Sequence, residues 1–229
     1  MQTGEQTLGA DRAHYLKNVL RVRNDSELMV FDGTGRVANA SVKRQGRDFS
    51  LHITSVSQIA PPQGPQVHLA FGLLKSKAME QVLRKSTELG VTHLWPIYTD
   101  HTDLPKRGLK RGVEDHWRAV LISAAEQCGQ NYLPLLGAVQ PFSELLASSP
   151  VAQRLCTDAS GTGWPENLPA ADTLLFVGPE GGWSSQELLS MQAAAVPVVN
   201  LGPLILRAET APLVALTTLA VGWRLSDSP

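Results

Sequence analysis

The 229-residue sequence predicts an α/β architecture: a larger unit built on a mostly parallel sheet, preceded by a small β-rich unit. Three observations carry this. Between residues 27 and 59 short apolar-polar runs alternate with turn residues, the pattern of an antiparallel sheet. "APPQGPQ", residues 60–66, is a rigid, turn-rich break. Beyond it strand-like and helix-like segments alternate, which builds a parallel sheet covered by helices. The expected domains are therefore 1–60 and 67–229, with 61–66 as linker, and the chain is long enough for each to bury a core.

In the first part "ELMVFDG", "RVANASV" and "DFSLHITSV" read as strands, and "DGTG" as the turn after the first. Ahead of them "HYLKNVLRV" puts Tyr15, Leu16, Val19 and Leu20 on one helical face. In the second part "VHLAFGLL" reads as a strand. Ser76 then caps a helix, "KAMEQVLRKSTEL", with Ala78, Met79, Val82 and Leu83 as its apolar stripe. "VTHLWPIY" is the next strand and "VEDHWRAVLISAAEQC" a helix, and 151–157, 173–177 and 197–201 are further strands, the last two followed by helices. Ligands of such sheets bind beyond the carboxyl ends of the strands, so the loops that leave strands are the ones to inspect.

Hydrophobic residues make up 43% and charged residues 18% of the chain, which suits a folded protein rather than a disordered one. Cys128 and Cys156 are far apart without a CxxC pair, and the six histidines never fall at the spacing that puts two imidazoles on one metal. No metal and a reduced, cytoplasmic compartment are expected. The N-terminus lacks a signal peptide's basic start and apolar core, and the longest apolar tract, 211–223, is too short for a bilayer. The net charge of −1 divides into +2 over residues 1–60, +3 over 61–118 and −6 over 119–229. An anionic partner for the first half is one reading, and scattered surface charge accounts for the numbers nearly as well.

Two loops carry the chemistry. "FVGPEGGWSSQE" is a strand that breaks into glycines and restarts as a helix, with Ser184 and Glu187 spaced as a capping box. It has no basic residue and places Glu180 in the turn, which disfavours a phosphate ligand. Its glycines permit close backbone approach, and a tight structural turn explains them equally well. The second loop, "VVNLGPLILRAETAPL", sets Arg207 and Glu209 in an apolar stretch ahead of a helix that Thr210 caps, with Pro212 in its first turn. Charges in such surroundings are costly unless paired, so they mark either a site or a structural ion pair.

These residues resemble the RsmE family, 16S ribosomal RNA uridine-N3 methyltransferases of the SPOUT class. "VGPEGGWSSQE" with "NLGPLILRAETA" looks like the family's paired signature. "KSKAMEQVLRKSTELGVTHLWPIY", "AAEQCGQNYLP" and "HYLKNVLRVRNDSELMVFDG" are similar to its remaining segments, so the resemblance spans about residues 11–224. It implies a PUA-like β-barrel followed by a SPOUT α/β domain with a deep C-terminal trefoil knot. It also implies a homodimer and S-adenosylmethionine held bent by backbone from three loops. By position these are the segment after Thr157; Val177, Gly178, Pro179, Glu180, Gly181 and Gly182; and Leu201, Gly202, Leu204, Leu206, Arg207 and Thr210. Arg207 and Glu209 are the implied catalytic pair.

The implied partner is 16S rRNA or the small ribosomal subunit. Lys17, Arg21 and Arg23 in the first part, and Lys75, Lys77, Arg84 and Lys85 beside the linker, are the basic candidates for RNA contact. Three departures stand out. The family's extra N-terminal strand is not held in full, Gln130 replaces a usual arginine, and "DHTD" replaces a more arginine-bearing stretch; the last two bear on a family RNA or active-site contact, and neither is expected to touch the cofactor loops. Two alternatives stay open: a SPOUT methyltransferase for another RNA position, and a non-catalytic rRNA-binding or assembly module.

Overall fold

The computed structural model describes residues 1–45, 48–103 and 111–226, and these form two compact units. The first comprises residues 1–62 together with Gly129–Tyr132. Its strands are β1 (Gly4–Thr7), β2 (Glu27–Phe31), β3 (Arg36–Gln45) and β4 (Asp48–Gln58), paired antiparallel in the order β1-β4-β3-β2. Period-two alternation puts Ala38, Ala40 and Val42 of β3 and Phe49, Leu51 and Ile53 of β4 into one small core. A short strand thus precedes the part that resembles the family, since β1 pairs with β4 from Gly4↔Ile53 to Thr7↔Ser50.

Helix α1 (Ala10–His14) runs into a π-helical turn, Tyr15–Val19. Leu20 N–H donates to the Tyr15 carbonyl five residues back, at 3.1 Å. The wider turn changes the angular step between side chains. Leu16 therefore enters the core, whereas Leu20, expected on the same face, is 49% exposed. The Gly129–Tyr132 segment is tied in by Gly35 N–H to the Asn131 carbonyl (3.0 Å) and by the Tyr132 hydroxyl to the Ile59 carbonyl (2.7 Å).

The second unit contains strands β5 (Val67–Gly72), β6 (His93–Tyr98), β7 (Leu135–Leu136), β8 (Gln140–Pro141), β9 (Gln153–Thr162), β10 (Thr173–Val177) and β11 (Val198–Val199). Its helices are α2 (Ser76–Glu88), α3 (Val113–Cys128), α4 (Phe142–Ser148), α5 (Ser185–Ala193) and α6 (Ala211–Ser226). The sheet is parallel, ordered β11-β9-β10-β5-β6-β7, with β8 pairing β6. Successive side chains serve opposite faces. Leu69, Phe71, Leu175 and Val177 pack with α2, α3 and α6, while Ala70, Leu174 and Phe176 pack with α4 and α5. Burial on both sides is why β10 reads "TLLFV" without alternation.

From β5 the chain proceeds outward through β6 and β7, while β10 returns on the other side of β5. The switch in strand order therefore lies between β5 and β10.

Several expected boundaries shift. The strand at residue 67 ends at Gly72, and the strand expected over 197–201 is only Val198–Val199. The residue ahead of α2 is Lys75, without a side-chain cap bond, so Ser76 is the first helical residue and not the cap. The Ser184–Glu187 capping box is present: Glu187 N–H donates to Ser184 Oγ (3.2 Å), and Ser184 N–H to Glu187 Oε2 (2.8 Å). Among the described residues no helix is long and apolar enough to cross a membrane.

Candidate active site

Beyond the carboxyl ends of β10 and β11, and beside the middle of β9, lies a cavity of about 740 Å³. Three segments wall it: Thr157, Asp158 and Ala159 after the start of β9; Val177, Gly178, Pro179, Glu180, Gly182 and Trp183 after β10; and residues 200–209 after β11. Ala78 of α2 and Ala211 of α6 complete it. The expected residues Thr157, Val177, Gly178, Pro179, Glu180, Gly182, Leu201, Gly202, Leu204, Leu206, Arg207 and Glu209 are thus brought together. Gly181 and Thr210 are not on the wall. The Gly181 carbonyl is turned to His101, and the Thr210 carbonyl accepts from Leu213 and Val214 at the start of α6.

Side chains absent from the sequence-based site lace these loops to one another. Asn200 donates through Nδ2 to the Ala159 carbonyl (2.7 Å) and accepts at Oδ1 from Gly202 N–H (2.6 Å), joining β9 to the loop after β11. A carbonyl only accepts and an amide N–H only donates, so a single orientation of this carboxamide satisfies both. Trp183 Nε1 donates to the Thr157 carbonyl at 3.0 Å, tying the glycine loop to β9. Asn200, directly ahead of "LGP", and Trp183, directly after "GG", were findable as neighbours of the motifs; Asp158 carried no signal of its own.

The Arg207–Glu209 pair differs from expectation. Arg207 Nη1 is 3.9 Å from Glu209 Oε1, and the arginine side chain is 86% exposed against 18% for the glutamate. The apolar neighbours that suggested costly surroundings, Leu204 and Ile205, are themselves 78% and 94% exposed. So long and wet an ion pair contributes well under ~1 kcal/mol to folding. Arg207 is not a buried structural partner.

The "DHTD" segment does reach the glycine loop, contrary to its reading as remote from it. Asp100 Oδ2 accepts from Ser184 Oγ (2.6 Å), Asp100 N–H donates to Glu187 Oε1 (3.0 Å), and His101 Nδ1 is 2.9 Å from the Gly181 carbonyl. Gln130 lies in the segment belonging to the first unit.

Of the basic candidates, Lys17, Arg21 and Arg23 are exposed on the first unit, Lys17 in the π-helical turn and Arg21 at a left-handed φ of 51°. In the second unit Lys75 pairs with Asp103 at 3.2 Å and Lys85 with Glu88 at 2.8 Å, Lys77 is exposed, and Arg84 is half-buried.

Two histidines distant in sequence do meet. His68 and His93, on the neighbouring strands β5 and β6, stack with centroids 4.0 Å apart and planes 1° from parallel. Burial pushes the His68 pKa down to about 4. Stacked rings aim their lone pairs side by side rather than at a common point, so the pair is not a chelate. Among the described residues no cluster of three or more groups could hold a metal.

Residues 62–220 match the family model of an RNA methyltransferase domain, and residues 8–50 that of an RNA methyltransferase PUA domain. A protein of Synechocystis sp. named ribosomal RNA small subunit methyltransferase E is 33% identical over 222 residues, 93% of this chain and 72% of that relative. The chain belongs to the RsmE family.

The fold agrees with this RsmE membership. The solved structure of a ribosomal RNA small subunit methyltransferase E from Neisseria gonorrhoeae, bound to S-adenosyl methionine, superposes with a TM-score of 0.87 at 28% identity, covering 97% of this chain and 94% of that one. A Legionella pneumophila protein in complex with its bound cofactor SAM gives 0.87 at 29% identity over the same shares. The second unit is thus the RsmE α/β methyltransferase domain on a parallel sheet.

Proposed function

We propose that the protein methylates N3 of a uridine in 16S ribosomal RNA, with S-adenosylmethionine held in the cavity beside β9 and after β10 and β11. The observation that carries this reading is the cavity itself. It opens beyond the carboxyl end of β10, the strand that borders the switch in strand order, and its described lining is backbone, apolar side chains, the carboxylates Asp158, Glu180 and Glu209 and the Arg207 guanidinium, with no lysine among the described residues. Such a lining suits adenine, ribose and a sulfonium amino acid of net positive charge, and disfavours a polyphosphate.

When bound there, S-adenosylmethionine supplies an electrophilic methyl group. The residues' task lies with the acceptor, because N3 of neutral uridine carries a proton and is a poor nucleophile. As that proton passes to water or to the Glu209 carboxylate, negative charge spreads to the uracil oxygens. Arg207, reaching from the cavity wall into solvent, is the cation placed to meet this charge or to hold the nucleotide's ribose and phosphate. Glu209 orients its guanidinium. The loops laced by Asn200 and Trp183 fix where the methyl group is presented, which sets the in-line geometry.

N3 lies on the Watson–Crick edge, so the target base is unpaired or turned out of its helix. Lys17, Arg21 and Arg23 are the proposed phosphate contacts of the first unit, and Lys75, Lys77, Arg84 and Lys85 those of the second. Replacing Lys17, Arg21 and Arg23 together by alanine is expected to weaken RNA binding and to flatten the slope of log K against log salt by roughly 2, about 0.7 for each lost contact to single-stranded RNA. An unchanged slope in a filter-binding titration refutes that assignment.

The same reading makes the first sheet part of a PUA-like barrel, the loops around the cavity the crossings of a trefoil knot, and the compartment the cytoplasm. It covers the exposed Leu204 and Ile205 with a second copy of the chain; light scattering that returned a stable monomer at working concentration contradicts this last point. The deciding experiment incubates the protein and methyl-labelled S-adenosylmethionine with small ribosomal subunits lacking the modification and maps the product. N3-methyluridine at one site is the expected result. Label on another nucleotide assigns a different RNA position, and cofactor binding without transfer assigns an rRNA-binding or assembly role.

A further inference from the structure

We propose that His101 is a positioning residue for the cofactor, holding the glycine loop in its binding shape before the ligand arrives; this rests on reading the cavity as the S-adenosylmethionine site. The turn that bears His101 is itself held firmly. Thr99 N–H donates to Thr102 Oγ1 (2.9 Å), and Thr102 N–H to the Thr99 carbonyl (3.3 Å). Asp100 is fixed by Ser184 Oγ and by the buried Glu187 carboxylate, while Asp103 pairs with Lys75 at the start of α2. His101 projects from this anchored turn with Nδ1 2.9 Å from the Gly181 carbonyl. A carbonyl oxygen only accepts, so Nδ1 carries the proton.

The consequence falls on one peptide unit. Gly181 O is taken by His101, and the N–H of the next residue, Gly182, donates to the Pro179 carbonyl at 2.9 Å, so the Gly181–Gly182 peptide is held at both its oxygen and its nitrogen. Both residues are glycine, and Gly182 has φ +68°. With no Cβ on either side such a peptide rotates at little steric cost. Released, it samples several orientations, and a ligand must select one of them. Glu180 and Gly182, on either side of Gly181, both line the cavity. His101 does not line the cavity, so its effect is on cofactor affinity rather than on the chemical step.

Calorimetry with S-adenosylmethionine on the full chain tests this. His101→Ala is expected to raise the cofactor Kd about fivefold, the worth of one neutral hydrogen bond, with kcat at saturating cofactor and RNA within twofold of wild type and RNA affinity unchanged. His101→Asn, whose side-chain amide can donate to the same carbonyl, is expected to restore the Kd to within twofold. An unchanged Kd in His101→Ala, a loss that His101→Asn does not restore, or an equal loss of RNA affinity overturns the proposal. A wild-type protein that binds no S-adenosylmethionine overturns the reading of the cavity instead, so the two failures are separable.

Discussion

Arg207→Ala is expected to lower the methylation rate at saturating S-adenosylmethionine and RNA by about 10²–10³-fold, the loss seen when one preorganised donor to a developing anion is removed. The melting temperature is expected to stay within about 2 °C, because an 86%-exposed side chain whose carboxylate partner lies 3.9 Å away contributes little to folding. These two expectations together distinguish a site residue from a structural one. Removing a buried ion-pair partner would cost stability first. Arg207→Lys should recover the rate only in part, since an ammonium is a point charge and a guanidinium a planar fork of donors. Single-turnover kinetics with methyl-labelled cofactor measure the chemical step free of product release, and a wild-type rate in Arg207→Ala sinks the assignment.

The physical reasons for what the sequence revealed are local. Strand-to-glycine-to-helix transitions leave a signature because the capping box, the turn and the apolar strand all lie within a dozen residues, so Ser184 and Glu187 could be paired by spacing alone. Parallel pairing was legible because strand-like and helix-like segments alternate along the chain after residue 66, and crossover helices of that kind join parallel strands. Contacts between loops distant in sequence left no comparable trace. Nothing in "DHTD" announces that Asp100 and His101 will meet Ser184 and Gly181, 84 and 80 positions away. The exposure of Arg207 was equally hidden: apolar neighbours suggest burial, but Leu204 and Ile205 stand in solvent beside it. The π-helical turn defeated the stripe at Leu20 because a 3.6-residue period was assumed where the chain is wound more widely.

Gly72→Ala is expected to damage both stability and cofactor binding, through a contact that no reading along the chain exposes. Gly72 ends β5 at the strand-order switch, and a Cβ built there falls 2.6 Å from the Pro179 backbone nitrogen, 2.7 Å from its Cδ and 2.8 Å from its Cβ. Backbone and a closed pyrrolidine ring cannot rotate aside as a long side chain would, so the glycine loop itself must move. Overpacking of this kind costs about 1–3 kcal/mol, and each kcal/mol lowers the melting temperature of a domain this size by about 2–4 °C. Because Pro179 lines the cavity, the displacement carries into the site, and the S-adenosylmethionine Kd should rise by about one to two orders of magnitude, the same energy at 1.4 kcal/mol per tenfold. Gly163→Ala is the matched control: a Cβ there meets nothing within 4 Å and its φ is not in the left-handed region, so it should melt and bind as wild type. Thermal melts and calorimetry on the two variants decide the point. If Gly72→Ala matches Gly163→Ala in both, the glycine loop is free to shift and the close approach of β5 to Pro179 does not shape the cavity.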